Sequence, residues 1–144
     1  MIDTIIYTPS KKIFEGKIKE MYIPTPNGEI GIFPNYEPFI YSISLGELSF
    51  IDEKGEKHIL AVTEGFLRVF FNKMYLSIVS GIYPHDIDID KIEREQKEIE
   101  EYLKKEQSKH ETSRMKSRLS VIKLHIATHN KHKQNYKERN SRLV

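Results

Sequence analysis

The sequence predicts a β + α protein: an N-terminal antiparallel β-sandwich or flattened barrel, followed by a C-terminal antiparallel two-helix hairpin. All six prolines and all seven glycines lie at or before Pro84. Up to that point, short apolar runs alternate with turn residues every 8–12 residues or so, a spacing typical of sandwiches. Beyond it, Glu, Lys and Gln dominate and apolar residues recur at helical spacing. We therefore place the two domains at residues 1–86 and 87–144.

Short apolar runs bounded by turn residues define the predicted strands. They cover residues 5–7, 17–23, 29–33, 39–43, 47–51 and 57–62. Asn27 and Gly28 predict a turn, because both residue types tolerate a positive φ. Residues 52–55 and 71–74 are predicted hairpin connections. Strands this short, joined by tight turns, favour an antiparallel sheet that closes into two layers.

The first helix is predicted to begin just beyond Pro84. Asp90 and Glu93 have the spacing of a capping box, in which two side chains bond the first unpaired backbone amides. Asp88 is an alternative N-cap, because Asp is among the preferred residues at that position. Apolar residues then recur at helical spacing at Ile92, Ile99 and Leu103.

The second helix is predicted to begin at another capping box, formed by Ser108 and Glu111. Its apolar positions repeat at Met115, Leu119, Ile122 and Ile126. Two helices with so few apolar side chains are marginally stable alone, so we expect them to dock on the sandwich or on another protein. Comparable docking energies would allow two positions, which is what a conformational switch requires.

Composition excludes several classes of protein. The chain has no cysteine, so disulfides, thiolate nucleophiles and cysteine-based zinc sites are absent. The N-terminus has neither the basic region nor the apolar stretch of a signal peptide. No run approaches the roughly 20 apolar residues of a transmembrane helix. We expect a cytosolic protein, or one attached to a complex on the cytosolic side of a membrane.

Charge divides the chain into a mildly acidic front and a basic rear. Residues 1–86 hold 8 Lys and Arg against 11 Asp and Glu, whereas residues 87–144 hold 15 against 10. From Lys104 onward the imbalance is 12 basic to 3 acidic residues. Such a segment is suited to an acidic protein surface, a phosphate-bearing ligand or a nucleic acid.

The sequence contains no constellation typical of catalysis. It has neither a nucleophile elbow nor a glycine-rich phosphate loop, so we expect a protein that is not an enzyme. His125 and His129 have the i,i+4 spacing of paired metal ligands, but no carboxylate or cysteine lies nearby in sequence to complete the set. We therefore expect no metal site.

A nucleic-acid-binding module with a basic helical tail is the alternative function. The net charge of +9 from Lys104 onward would attract phosphates without sequence preference. In that segment Tyr136 is the only aromatic residue besides histidine, which makes it poor at stacking bases. We therefore expect no nucleic-acid partner.

An ordered set of motifs resembles the epsilon subunit of F-type ATP synthases. The matching segments are Thr8-Pro9, Phe14-Glu15-Gly16, Ile23-Pro24, residues 28–34 with Pro38, Gly46-Glu47-Leu48, residues 65–69 with Asn72, residues 86–88 and residues 118–124. The resemblance covers residues 2–126. No single motif decides it, but their order and spacing together are specific.

This resemblance implies a non-catalytic subunit of the central stalk, or rotor, of a proton-translocating ATP synthase. In the family, the sandwich binds the gamma subunit and the membrane ring of c subunits. The helical hairpin either folds down or extends along gamma into the alpha/beta catalytic head, where it inhibits ATP hydrolysis. The expected location is the cell inner membrane, peripheral on the cytoplasmic side, as part of the complex.

The resemblance also assigns contacts to the c-ring and gamma. Glu29 matches the family's acidic residue at the polar loop of the c subunits. Tyr36 stands where the family usually carries His, with Asn35 and Glu37 in place of Gly and Ala. These three departures leave the contact of the loop in question, although an aromatic Tyr36 suits an interface pocket.

Some members of the family bind a regulatory ATP at the hairpin, and this chain keeps part of that motif. Asp88 is retained, Lys91 replaces Arg and Ile92 replaces Ala. Arg114 and Arg118 match second-helix arginines and share one helix face. Lys91 lacks the planar fork with which Arg grips phosphates. Otherwise no cofactor is expected.

The family's second helix meets an acidic segment of the catalytic beta subunits. In this chain the matching basic side chains are Arg114, Lys116, Arg118 and Lys123. Opposite charge would stabilise the inserted state, but exposed ion pairs contribute only about 0–1 kcal/mol each. Several of these cations must therefore act together.

Overall fold

The structure is a computed structural model that describes residues 1–105 and 109–142. The chain divides into two compact units, Met1–Tyr83 and Pro84–Val144. The first holds all the strands of the described residues and the second holds the helices. A sheet followed by two helices confirms the predicted β + α order.

Nine strands form one sheet in the first unit. They are β1 (Ile2–Tyr7), β2 (Lys12–Thr25), β3 (Gly28–Ile32), β4 (Phe39–Ile43), β5 (Gly46–Asp52), β6 (Lys57–Val62), β7 (Gly65–Phe70), β8 (Lys73–Ile78) and β9 (Gly81–Ile82). Their hydrogen-bonded order is β4-β7-β8-β1-β2-β5-β6-β9, with β3 paired to β2 outside this path. The sheet folds over itself as a sandwich around one core.

One pair of neighbours departs from the expected antiparallel arrangement. β1 and β8 run parallel, from Asp3 opposite Lys73 to Tyr7 opposite Ser77. Parallel neighbours need a long connection, and the strands from β2 to β7 supply it. All the other pairs are antiparallel.

β2 is longer than predicted. The sequence predicted a strand over residues 17–23, whereas β2 already begins at Lys12, before Gly16. The strand has 14 residues, and its register against β5 shifts between Ile18 and Glu20, which marks a bulge. Residues before the bulge pair with β1, and those after it pair with β3. Because the bulge bends the strand, β2 can pair with β1 before the bend and with β3 after it.

The core lies between the inner faces of the sandwich, because alternate side chains of each strand point inward. In β1, Ile2 and Ile6 are buried while Asp3 is exposed. The buried cluster consists of Ile2, Ile6, Ile18, Met21, Ile23, Ile32, Ile43, Leu48, Phe50, Leu60, Val62, Leu67, Val69, Met74, Leu76 and Ile78. The first unit therefore supplies its whole hydrophobic core from its own strands.

Gly65 begins β7 at a point where two backbones approach closely. A Cβ atom at this position would lie 2.2 Å from the Ser77 carbonyl oxygen and 2.8 Å from the Ile78 Cα. Any larger residue would force the paired strands apart. This glycine therefore has a structural role in the close pairing of β7 and β8.

The second unit contains a 3₁₀ turn (Pro84–Asp86) and two helices, α1 (Ile89–Leu103) and α2 (Lys109–Arg142). Asp88 is the N-cap of α1, and its Oδ1 accepts a hydrogen bond from the Lys91 amide at 3.2 Å. The capping box predicted at Asp90 is wrong, because the N-cap is Asp88, two residues earlier, and Asp90 lies inside the first turn. Ser108 of the second predicted box lies outside the described residues.

Two contacts set the register of the helices. Arg118 bonds Glu95, and Glu111 accepts a hydrogen bond from the Tyr102 hydroxyl at 2.7 Å. From Glu95 to Tyr102 the chain advances by seven residues along α1, while their partners on α2 go back by seven residues, from Arg118 to Glu111. The helices therefore form the antiparallel hairpin that we predicted.

Truncating Ile6 to alanine should destabilise the sandwich by about 2–5 kcal/mol, because this side chain is 0% exposed and its loss leaves a cavity. Ile40→Ala removes the same atoms from a side chain that is 63% exposed, and should change the free energy of unfolding by less than about 0.5 kcal/mol. Urea unfolding followed by circular dichroism measures both. Equal destabilisation would contradict the assignment of inner and outer faces.

Candidate docking site

Glu29 lies at an exposed end of the hairpin that joins β2 and β3. Gly28 has a φ of +111°, and the Thr25 hydroxyl donates a hydrogen bond to the Gly28 carbonyl at 2.5 Å, closing the turn. Glu29 is paired with Pro24 across the hairpin, and its side chain is exposed. The turn thus presents a carboxylate on a backbone of fixed geometry.

Tyr22 lies between two acidic side chains on the same outer face as Glu29. Its hydroxyl donates a hydrogen bond to Glu20 at 3.2 Å, and its ring meets Phe33 edge-on at 6.0 Å. Burial raises the pKa of Tyr22, and the carboxylates of Glu20 and Glu29 raise it further. This face is therefore acidic, with an aromatic centre.

Tyr36 lies in the loop after β3 and is half-buried against the core. Its hydroxyl hydrogen-bonds the Tyr41 hydroxyl at 2.8 Å, which raises the pKa of Tyr41 to about 12. The structure fixes Tyr36 by this bond to β4, whereas Glu29 lies on the preceding turn. The two residues therefore lie apart: the Glu29 turn adjoins Ser44, whose amide donates to the Pro24 carbonyl, whereas the Tyr36 loop adjoins the Asn72 turn at the other end of β7 and β8. Their role in contact stays a prediction.

A pair of asparagines joins this loop to the turn between β7 and β8. The backbone N–H of Asn35 donates to Asn72 Oδ1 at 2.6 Å, and the side-chain Nδ2 of Asn72 donates to Asn35 Oδ1 at 3.1 Å. Phe71 and Asn72 have φ values of 47° and 58°, the two left-handed residues of a type I′ hairpin. Phe71 is 83% exposed at the tip. Sequence reasoning missed this contact, and only the turn signal at Asn72 pointed to it.

An apolar outer face covers the edge of the sheet formed by β4, β7 and β8. Ile40 is paired with Arg68, Ser42 with Phe66, and Arg68 with Tyr75, so these side chains share the face opposite to the core. Ile40 and Phe66 are each 63% exposed. We call this set (Ile40, Phe66, Arg68 and Tyr75) the outer β4–β7 face.

Arg68 is held in place on this face by aromatic rings. Its guanidinium lies 4.9 Å from the centre of the Phe70 ring and 5.2 Å from that of Tyr75, and the two rings stack at 5.8 Å. Cation–π contacts of this kind orient the charge without neutralising it. Apolar exposure around a fixed cation is a combination typical of protein interfaces.

Arg118 of the predicted regulatory set is engaged within the hairpin. Its Nε and Nη2 donate to the two carboxylate oxygens of Glu95, at 2.7 and 3.0 Å. Hydrogen bonding to Arg118 lowers the pKa of Glu95, and the same bond raises the pKa of Arg118. Arg114, Lys116 and Lys123 are exposed on α2, and none of them forms an ion pair with the described residues.

The residues predicted to bind a nucleotide are spread along the hairpin. Asp88 uses its carboxylate as the cap of α1, and the Lys91 amide is its donor. The cross-hairpin register places Arg114 level with residue 99, which is roughly 16 Å along the axis from Asp88 at a rise of 1.5 Å per residue. The nucleotide site stays a prediction.

His125 lies two turns beyond Arg118 on α2. Burial lowers the pKa of His125, the positive charge of Arg118 lowers it further, and the Glu95 carboxylate opposes both. Its Nδ1 is buried without a hydrogen-bond partner among the described residues. The low pKa favours the neutral imidazole near neutral pH, so this residue adds no cation to the helix there.

One cluster in the described part of the chain has the composition of a metal site. Asp52, Glu56 and His58 each bring a ligand atom within 4.8 Å of the others. Asp52 Oδ1 accepts the amides of Lys54 and Glu56, both at 2.9 Å, and Oδ2 bonds His58 Nε2 at 2.9 Å. These bonds lower the pKa of Asp52, the His58 bond most of all. They account for the cluster as the closure of the β5–β6 turn.

Comparison with known proteins identifies the family to which this chain belongs. A family profile described as "ATP synthase, Delta/Epsilon chain, beta-sandwich domain" matches residues 1–80. An ATP synthase epsilon chain of Clostridium botulinum is 34% identical over 103 residues, which are 72% of this chain and 77% of that protein. The chain belongs to the ATP synthase epsilon family. Its members are non-catalytic subunits of the complex, which agrees with the lack of a catalytic constellation in the sequence.

Other members of the epsilon family and solved structures extend the match into the helices. An epsilon chain of Ruminiclostridium cellulolyticum is 28% identical over 126 residues, covering 88% of this chain and 93% of its own. A chain of the Euglena gracilis mitochondrial ATP synthase (OSCP/F1/c-ring) has a TM-score of 0.67 at 20% identity, covering 84% of this chain and 75% of its own.

The central stalk/c-ring structure of the Tetrahymena thermophila mitochondrial ATP synthase gives a TM-score of 0.63 at 16% identity, with 89% and 96% of the two chains covered. At these identities the two structures support the fold alone. As an epsilon subunit, the chain is part of a membrane-bound complex. None of its described helices is both long and apolar enough to cross a bilayer.

Replacing Tyr36 with phenylalanine should lower the pKa of Tyr41 from about 12 toward its ordinary value of 10.0, because the hydrogen bond from the neighbouring hydroxyl is the main cause of the shift. NMR of tyrosine labelled at Cζ, recorded across a pH titration, measures this pKa. Tyr7→Phe is the matched control and should leave Tyr41 unchanged. A Tyr41 pKa that stays near 12 in the Tyr36 variant would show that the bond does not fix the loop.

Proposed function

We propose that this chain is the rotor epsilon subunit of a proton-translocating F-type ATP synthase. In this role it couples rotation of the c-ring to the alpha/beta catalytic head, together with the gamma subunit, and its C-terminal helices inhibit ATP hydrolysis. The observation that carries the proposal is the outer β4–β7 face, which is apolar although it lies outside the core. The subunit would sit on the cytoplasmic side of the inner membrane, held there by the complex.

The outer β4–β7 face supports docking on a protein of the rotor. Ile40 and Phe66 are large apolar side chains whose burial would contribute on the order of 1.5–3 kcal/mol each. The sandwich does not need them, since its core is complete without them. Arg68 adds a fixed cation at the centre of the face. We assign this face to the gamma subunit.

The exposed turn that carries Glu29 supports a second contact. Glu29 offers an exposed carboxylate, which a cationic or amide group of a polar loop would complement. We assign this turn to the polar loops of the c-ring. Tyr36 and the exposed Phe71 lie at the other end of β7 and β8, where the Asn72 turn is bonded to the Asn35 loop, so they would contact a different part of the rotor.

The exposed cations of α2 support the inhibitory contact with the head. Arg114, Lys116 and Lys123 lie on one helix and, among the described residues, have no acidic partner. Facing an acidic segment of a beta subunit, each would contribute about 0.2–1 kcal/mol. Their combined effect is enough to bias a helix pair between two positions.

Reconstitution of an ATP synthase stripped of its epsilon subunit tests the contacts of the outer β4–β7 face and of the α2 cations. The Ile40→Lys/Phe66→Lys variant should bind the complex at least about tenfold more weakly, because charges would be buried at an apolar contact. The Arg114→Gln/Lys116→Gln/Lys123→Gln variant should bind as tightly as the natural chain, but its inhibition of ATP hydrolysis should be weaker by about three- to tenfold. Each variant is thus the control for the other.

Two results would contradict the proposal. Undiminished binding of the first variant would remove the docking role of the outer β4–β7 face, and undiminished inhibition by the second would remove the role of the α2 cations. Lysines on the sandwich provide a charge-matched control, because Lys11→Gln/Lys19→Gln/Lys54→Gln removes the same charge from the first unit. Filter binding of RNA by the natural chain at near-physiological salt would favour the nucleic-acid alternative instead.

A further inference from the structure

The Glu95–Arg118 pair is the strongest ionic contact between the two helices. Both guanidinium nitrogens along one edge meet both carboxylate oxygens, at 2.7 and 3.0 Å. Such a bidentate arrangement is the geometry with which Arg recognises carboxylates, and it is stronger than a single charged hydrogen bond. The side chain of Arg118 is 43% exposed and that of Glu95 is 32% exposed. A carboxylate of another protein can therefore reach the pair and compete with Glu95.

Arg118 stands apart from the other α2 cations in this respect. Arg114, Lys116 and Lys123 are exposed and make no ion pair with the described residues, whereas Arg118 already holds a carboxylate. Glu95 occupies the Nε–Nη2 edge of this guanidinium, and one edge binds one carboxylate at a time. In the closed hairpin, that edge is therefore unavailable to an acidic protein segment, although Arg118 lies among the side chains that would meet one.

We propose that Glu95 is an internal competitor for the Nε–Nη2 edge of Arg118, so that closure of the hairpin and bidentate binding of this edge to an acidic protein segment exclude each other. The inference rests on the proposed inhibitory function and adds the regulation of its contact surface. Glu95 occupies the place that a carboxylate of the partner takes after the helices separate. Each acidic partner that captures Arg118 thereby favours the open hairpin, and each closure releases the partner.

The competition makes a prediction that a simple structural role does not. Removing either charge weakens the closed hairpin by the same amount, but only Glu95→Gln leaves Arg118 able to bind the partner. The two variants should therefore open the hairpin equally and change inhibition in opposite directions. If the ion pair only stabilised the hairpin, Glu95→Gln and Arg118→Gln would change the inhibition of ATP hydrolysis in the same direction.

Opening is measured on the isolated full chain by the distance between two spin labels. The chain has no cysteine, so Glu98→Cys and Ser117→Cys, both exposed positions, take up the only labels. Glu95→Gln and Arg118→Gln should each raise the ratio of open to closed hairpins by about two- to fivefold, as expected for loss of an exposed ion pair. Glu93→Gln removes an equal charge from α1 and should leave this ratio unchanged.

Inhibition is measured on an ATP synthase head reconstituted with each unlabelled chain. Glu95→Gln should inhibit ATP hydrolysis at about two- to fivefold lower concentration than the natural chain, in line with its larger open fraction. Arg118→Gln should need a higher concentration. The exchange Glu95→Arg/Arg118→Glu should restore the closed distance but inhibit poorly, because a carboxylate then faces the acidic partner.

The outcomes separate the competition from the function on which it rests. If the natural chain inhibits but Glu95→Gln is no stronger, or if both single variants weaken inhibition, the competition is overturned and the inhibitory function stands. If the natural chain does not inhibit the head at all, the inhibitory function falls and the competition falls with it.

Discussion

The sandwich fills its core entirely with its own strands, and the roles of its other surfaces depend on this. Every member of the buried cluster lies between Ile2 and Ile78, within the first unit. Apolar groups outside that core are then surplus to folding. This is why the exposed side chains of Ile40 and Phe66 are the basis of the proposed docking face.

The hairpin combines a few buried apolar side chains, Ile99 of α1 and Ile122 of α2, with exposed polar contacts. α2 is polar over most of its length, and the contacts between its described residues and α1 include an ion pair and a tyrosine–carboxylate hydrogen bond. Contacts of this kind are weak when they are exposed, and partners of the same chemistry compete for them. A helix pair held partly by charge is therefore sensitive to the charge of its surroundings. Arg118 links the two properties, since it belongs both to the hairpin contact and to the cationic surface.

Local sequence signals predicted most of the fold, whereas contacts between distant residues were missed. Turn residues located six of the nine strands, β1 to β6, and the loss of Gly and Pro located the helices. The cap of α1 was ambiguous because Asp88 and Asp90 both suit that position, and only the backbone geometry decides between them. The parallel β1–β8 pair depends on the path of the whole sheet, which no local pattern contains.

The candidate sites show the same division between local and long-range information. The family resemblance pointed to Glu29, Tyr36 and the α2 cations, because it rests on motifs that the sequence contains directly, whereas the outer β4–β7 face became visible only in the folded sheet. The Asn35–Asn72 and Glu95–Arg118 contacts join residues that are 37 and 23 positions apart. Polar residues of this kind usually face solvent, so their pairing could be recognised only after the fold had brought them together.

Amide hydrogen exchange of the isolated full chain tests the central claim, which is that the sandwich is complete in itself while the hairpin opens separately. The account predicts that amides of the buried strands exchange only by global unfolding, and that those of α1 and the described part of α2 exchange by a separate opening of lower free energy. A single protection level shared by strands and helices would contradict it.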